Sequence, residues 1–254
     1  MQSRVMVNCD IGERGSDHPV DLELLRWIDI ANLACGGHAG DENSASRFLH
    51  LAREQGLLVT AHLSYPDRSG FGRRSLTIPS RRLLESLDAQ LALLPGIKAV
   101  KFHGALYNDS CTGVELARVL ARWLAEQECS TVLTMPGSAL AAECGVLGIE
   151  VYAEAFAERR YRLDPSGGVL SLMSRKHPRA TIDEVEEAVA QATGIIERGE
   201  VVAFVESAGG RENAGGRENA ATRVVPLQAQ TICIHSDSVI ALPLARRLSE
   251  VLRS

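Results

Sequence analysis

Short apolar runs alternate with amphipathic stretches along the whole 254-residue chain, and this rhythm restricts the fold more than any other feature. Val5–Cys9, Ile30–Cys35, Leu57–His62, Ile97–Phe102, Thr131–Met135, Glu150–Ala155, Val201–Val205 and Thr231–His235 read as strands. Most are nearly continuous in apolar residues, as expected of strands covered on both faces of a parallel sheet. Between them, Asp41–Gln55 sets Ala45, Phe48, Leu49 and Ala52 on one helical face, and Ser80–Leu94 does the same with Leu83, Leu84, Leu87, Leu91 and Leu94. Thr112–Glu115 and Thr181–Glu184 have the spacing of capping boxes, in which Thr and Glu satisfy orphan amides reciprocally. The second should open a helix through Ile196 closed by Gly199, and a last helix is expected over Leu242–Leu252.

Strand–helix alternation over the full length predicts an α/β protein with a parallel sheet. The unit recurs about seven times, with Val201–Val205 as an extra strand, and no linker divides residues 1–254, so one domain is expected. A closed or nearly closed β/α barrel is the first reading and a doubly wound open sheet the second. Against the second, no Gly-x-Gly-x-x-Gly follows the first strand, and no Gly-x-x-x-x-Gly-Lys-Ser/Thr occurs. Two stretches break the rhythm. Residues 157–180 form a long polar segment with Pro165, Gly167, Gly168 and Pro178, of the kind that serves as a lid or stays disordered. Ala208–Asn213 is repeated at once as Ala214–Asn219, which reads as a duplication in a flexible surface loop.

Composition removes several function classes. Twenty-seven Lys and Arg against 32 Asp and Glu leave a net charge of −5, which offers nothing to nucleic acid. No apolar run approaches the roughly 18 residues of a membrane span, and the first residues lack the apolar stretch of a secretion signal. The six cysteines form no Cys-x-x-Cys pair; Cys9, Cys35 and Cys233 read as small core residues, and a cytoplasmic protein with reduced thiols is expected.

The reactive side chains collect where the strands end. Asp10 and Glu13 follow the first strand, His38 and Asp41 the second, His62 and then Arg73 the third. Lys101, His103 and Tyr107 follow the fourth, Arg160 the sixth, and His235 with Asp237 the last. In a parallel barrel all these ends share one face, where active sites are built. Four of the seven histidines thus converge, together with six of the eleven aromatics (Tyr65, Phe71, Phe102, Tyr107, Phe156 and Tyr161) as pocket walls. His18, His50 and His177 are left as bystanders. Asp41 and Asp237 are equally placed to cap helices. Asp with two His could hold a divalent metal and activate water. The same groups could instead do metal-free acid/base work around a polarised carbonyl, with a cation countering an anionic substrate.

The same residues carry a resemblance. Asn8–Glu13, Ala31–Asp41, Ala61-His62 with Tyr65–Asp67 and Gly70–Arg74, Lys101 with His103–Asn108, Phe156–Tyr161, Ser174-Arg175 and Pro226–His235 are similar, in this order, to the blocks of the LamB/YcsF family of 5-oxoprolinase A subunits. The resemblance implies a seven-stranded parallel β/α barrel of glycoside hydrolase/deacetylase type. It implies ATP-dependent opening of a small lactam, 5-oxoproline, to glutamate together with partner subunits B and C, which would use the ATP. In that setting Asp10 or a strand-end histidine would be the base. His103 or His235 would steady the oxyanion or protonate the ring nitrogen, and Arg73 or Arg160 would grip the carboxylate. Asp10, Glu13, His38, His62, Lys101, His103 and His235 are therefore the candidate catalytic set, and Asp41, Arg73, Tyr107, Arg160 and Asp237 the candidate substrate contacts. A divalent metal and a homo-oligomer are both compatible with the sequence. The chain departs from the family pattern at Leu63-Ser64, Phe102 and Ser236. The alternatives are a stand-alone metal-dependent hydrolase or deacetylase of a carbohydrate or small amide, and a non-catalytic subunit of the complex.

Overall fold

A computed structural model describes residues 4–164, 168, 170–205 and 221–253. The elements run β1 (Met6–Ile11), α1 (Pro19–Leu24), β2 (Ile30–Ala34), α2 (Glu42–Glu54), β3 (Leu58–Leu63), α3 (Ser80–Leu91), β4 (Ala99–Phe102), α4 (Gly104–Thr112), α5 (Val114–Glu126), β5 (Thr131–Thr134) and α6 (Ala139–Val146). They continue β6 (Glu150–Phe156), β7 (Tyr161–Leu163), β8 (Leu170–Leu172), α7 (Val185–Thr193), β9 (Glu200–Val205), β10 (Thr222–Pro226), β11 (Thr231–His235) and α8 (Ala241–Arg253). Seven strands close a parallel barrel in the order β1-β11-β6-β5-β4-β3-β2. These are the seven expected from the apolar runs, with ends shifted by one or two residues. The expected extra strand is β9, and it belongs to a second sheet of order β10-β9-β7-β8. Among the described residues no helix is long and apolar enough to cross a membrane.

The apolar runs conceal a second period. In β1 the residues Val7, Cys9 and Ile11 pack outward against the helices, while Asn8 and Asp10 share the opposite face with Asn32, Thr60 and Thr231 of neighbouring strands. Inside the barrel Asn8 donates to Thr231 Oγ1 (2.9 Å), Asn32 donates to Asn8 Oδ1 (2.8 Å), and Thr60 donates to Asn32 Oδ1 (2.8 Å). The barrel is thus apolar on its helix-facing side and hydrogen-bonded within.

Both expected capping boxes fail. Thr112 closes α4, its hydroxyl donating back to the Asn108 carbonyl (3.3 Å), and Gly113 starts α5. Thr181 is drawn into an isolated bridge with Arg159, and Glu184 precedes α7 with no side-chain cap. A capping box forms instead at α2. Asp41 Oδ1 accepts from the Ser44 amide (2.8 Å), and Ser44 Oγ accepts from the Asp41 amide (2.9 Å). After α7 the chain continues through a π turn, Gly194–Arg198, to Gly199 in the left-handed region (φ 66°), close to the expected stop. The segment 157–180, expected as a lid or disordered loop, contributes β7 and β8 to the second sheet. The tandem repeat 208–219 lies outside the described residues.

Candidate active site

The strand ends meet in a cavity of about 540 Å³. Asp10, His62, Lys101, His103, Tyr107 and His235 line it from the barrel, and Met173 to Lys176 line it from the stretch after β8. Lys101 sits at the floor, 2% exposed. Its Nζ lies 2.9 Å from Asp10 Oδ1 and 3.0 Å from Glu154 Oε1, and it donates to Asn8 Oδ1 at 3.1 Å. Burial works against charge on both partners. His62 and Lys101 nonetheless hold Asp10 well below the usual carboxylate range, and Asp10 and Glu154 hold Lys101 well above the usual lysine range. Cys233 is buried as expected but faces inward, its Sγ 3.0 Å from Lys101 Nζ, and burial keeps it a thiol.

Beside this pair lie three histidines. His62 Nε2 is 2.9 Å from His103 Nδ1 and 3.3 Å from Asp10 Oδ2. His38 stacks on His103 with ring centroids 3.6 Å apart, and its Nε2 reaches Glu13 Oε1 at 2.9 Å. Burial lowers His38 to about 3 and holds His103 well below an ordinary histidine, so both are neutral. Burial, reinforced by the charge of Asp10, pushes Glu13 up to about 7. Glu13 and His38 stand behind His62 and His103 and do not line the cavity.

A loop after β3 clamps the cluster. Phe71 packs edge-on against His38 and His103, and its carbonyl accepts from His103 Nε2 at 3.0 Å. Gly72 (φ 62°) has no room for a side chain, since a Cβ there would lie 2.9 Å from His38 Cβ and 3.0 Å from His103 Cδ2. Its carbonyl accepts from the Ala105 amide (2.9 Å) and so ties the loop to α4.

Not every expected residue reaches the cavity. Arg73 lines it and binds Asp237 Oδ2 at 2.6 Å, so Asp237 holds the rim. Asp41 is spent on capping α2. Arg160 points away and pairs with Glu187 at 2.8 Å, because neighbouring residues of extended chain face opposite sides. Its neighbour Arg159, absent from the expected set, takes the inward place. It is 6% exposed and donates from Nη2 to the Met173 carbonyl (2.7 Å). Glu158 was also missed; its Oε1 accepts from the His235 amide (2.6 Å) and lies 2.7 Å from His235 Nδ1. Glu154 completes the floor. Polar residues at alternate positions of β6 were the available sign of Glu154. Two donor groups could hold a metal ion among the described residues: Glu13 with His38, His62 and His103, and Asp10 with Cys233 and His235.

The LamB/YcsF family model matches residues 5–254, a span that includes every strand of the barrel and every residue of this cluster. The chain belongs to the LamB/YcsF family. A lactam utilization protein from Thermus thermophilus superposes with a TM-score of 0.78 at 30% identity, covering 98% of this chain and 96% of that one. The 5-oxoprolinase A subunit of Methylococcus capsulatus is 34% identical over 259 residues, 98% of this chain and 92% of its own. That of Staphylococcus aureus is 34% identical over 260 residues, 98% of this chain and 96% of its own. As a LamB/YcsF member the chain keeps its barrel from end to end, and the departures at Leu63, Phe102 and Ser236 leave the strand-end cluster assembled.

Proposed function

We propose that this chain is the A subunit of an ATP-dependent 5-oxoprolinase, a hydrolase that opens 5-oxoproline to glutamate with partner subunits B and C. The observation that carries the reading is the locked Asp10–Lys101 pair on the floor of a cavity walled by Arg73, Arg159, Arg162 and Arg175. The cationic wall suits a small anionic substrate, and the floor suits hydrolysis at a carbonyl. The 5-oxoprolinase A subunits named above support the substrate and the multi-subunit setting.

The geometry supports the following roles. Asp10 is ionised at neutral pH and lies beside the open volume, where it orients water and takes its proton. A carboxylate held this low is a weak base, which suits a lactam carbonyl already activated, and activation at the expense of ATP is the task left to the partners. Lys101 lies close enough to the same volume to counter charge on the carbonyl oxygen. His235 donates one ring N–H to Glu158, and its other nitrogen relays to the departing ring nitrogen the proton that Asp10 takes from water. Arg159 and Arg73 grip the substrate carboxylate, and Tyr107 and Phe156 form the apolar wall.

The test is reconstitution. The chain with B and C proteins, ATP and 5-oxoproline should release glutamate, and Asp10→Asn should cut the rate by about 10²- to 10⁴-fold, the usual contribution of a general base. No glutamate from partners that themselves hydrolyse ATP would overturn the reading.

A further inference from the structure

Two facing nitrogens raise the question of what lies between them. His62 Nδ1 is 3.3 Å from the Lys101 carbonyl, and His103 Nε2 is 3.0 Å from the Phe71 carbonyl. A carbonyl only accepts, so each of these nitrogens carries its ring proton. The opposite nitrogens, His62 Nε2 and His103 Nδ1, are left with lone pairs that face each other at 2.9 Å. Lone pairs hold such a separation only with an electrophile between or beside them, either a proton or a metal ion.

A third donor distinguishes the two. Glu13 Oε1 lies 3.5 Å from His103 Nδ1 and 3.9 Å from His62 Nε2, with its side chain only 4% exposed. Metal–ligand bonds of about 2.0–2.1 Å at tetrahedral angles place donor atoms about 3.3–3.4 Å apart, within the range spanned by these three edges. A shared proton would already be countered by Asp10, whose Oδ2 lies 3.3 Å from His62 Nε2, and gives no reason for a second buried carboxylate to turn toward the same point. Hydrogen bonds from the outer ring nitrogens to backbone carbonyls are also what ligand histidines use to fix tautomer and orientation. His38 is not a ligand. Its ring lies within 2° of parallel to that of His103 at 3.6 Å, so one ion cannot lie in both ring planes. His38 Nε2 holds the Glu13 carboxylate instead.

We propose that Glu13, His62 and His103 bind one divalent transition-metal ion of the zinc class, with its remaining position open to the cavity. Two imidazoles and a carboxylate are the donors such an ion selects. His62 and His103 line the cavity, and Asp10 Oδ2 stands 3.3 Å from His62 Nε2. Bound there, the ion would supply a Lewis acid at the Asp10 end of the cavity. The second donor group is excluded by charge, because Lys101 Nζ lies 3.0 Å from Cys233 Sγ and 2.9 Å from Asp10 Oδ1. As a binding site the proposal stands on these distances; as a catalytic site it rests on the 5-oxoprolinase reading.

The untagged full chain, stripped with a chelator, is titrated with Zn²⁺ against a chromophoric competitor near neutral pH. About one ion per chain should bind, and X-ray absorption should show nitrogen and oxygen donors only. Glu13→Gln and His103→Gln should each weaken binding at least tenfold, the lower end for loss of even a supporting group, with circular dichroism confirming the fold. His50→Ala, on the exposed side of α2, should bind as the unaltered chain does. Absence of stoichiometric binding, unchanged binding in both cluster variants, or a metal–sulfur distance of about 2.3 Å would overturn the site. Reconstituted activity is read separately. Zinc bound by the cluster without glutamate release refutes the functional reading and leaves the site; glutamate release by a chain that binds no zinc refutes the site and leaves the function.

Discussion

Replacing Lys101 with methionine keeps the length of the side chain and removes its charge, leaving Asp10 and Glu154 as two buried carboxylates with their shared cation gone. Lys101, Asp10 and Glu154 are 2%, 3% and 0% exposed, and the contacts are 2.9 and 3.0 Å, so water screens neither pair. Breaking a buried pair by deleting one partner costs about 3–5 kcal/mol, because the other charge stays buried and uncompensated. For a chain of this size each kcal/mol moves Tm by about 2–4 °C, which gives a loss of roughly 6–20 °C. The pH dependence should change sign as well. In the unaltered chain Asp10 has a depressed pKa, so its contribution is present above the unfolded carboxylate value and is lost as pH falls through the folded one. In Lys101→Met the unpaired carboxyls have raised pKa values, so stability should rise as pH falls from 7 toward about 4. Adding Glu154→Gln should recover part of the loss. Differential scanning calorimetry from pH 4 to 8 reads all three effects. A cost under about 1 kcal/mol with an unchanged pH slope would show that Lys101 does not compensate these carboxylates and would refute the reasoning.

Three further outcomes follow from the site. Gly72→Ala drives a Cβ against His38 and His103 in a left-handed backbone, so it should cost about 1–2 kcal/mol and shift the histidine ring resonances, which NMR would detect. Arg159→Ala should raise KM for 5-oxoproline at least tenfold in the reconstituted complex, whereas Arg160→Ala should leave KM unchanged; steady-state kinetics on the pair distinguishes the inward arginine from the outward one. Ser44→Ala removes one half of the α2 capping box, and chemical denaturation should report a loss of about 1 kcal/mol.

The barrel was legible in the sequence because strands covered on both faces are written as apolar runs, and seven such runs separated by helices leave few topologies. The strand-end cluster was legible for a related reason. Once the strands are parallel, Asp10, His62, Lys101, His103 and His235 must share a face whatever their distance along the chain. The short strands β7, β8 and β10 were not legible, since segments of three to five residues carry no period of their own. The choice of Arg159 over Arg160 depends on the rotation of one extended stretch, which side-chain type does not reveal. The two threonine boxes show how a local motif yields to tertiary pairing: Thr181 lies opposite Arg159 in a bridge whose bonds run from the Arg160 amide to the Ala180 carbonyl and from the Ile182 amide to the Glu158 carbonyl, and Thr112 is absorbed by the end of a helix.

The amide and hydroxyl line through Thr60, Asn32, Asn8 and Thr231 also bears on how the barrel assembles. A two-residue slip between neighbouring parallel strands keeps every apolar side chain on its proper face, so hydrophobic pattern alone does not forbid it. The line does. Each amide in it has one orientation, donating toward β11 and accepting from the β3 side, and a slipped β2 would set Asn32 opposite a residue other than Asp10, its partner in the native pairing. A misregistered barrel would bury several unpaired polar groups at once, at about 1–3 kcal/mol each. The interior hydrogen bonds therefore act as a proofreading device for strand alignment, and drift at any one of the four positions should be accompanied by change at its neighbour.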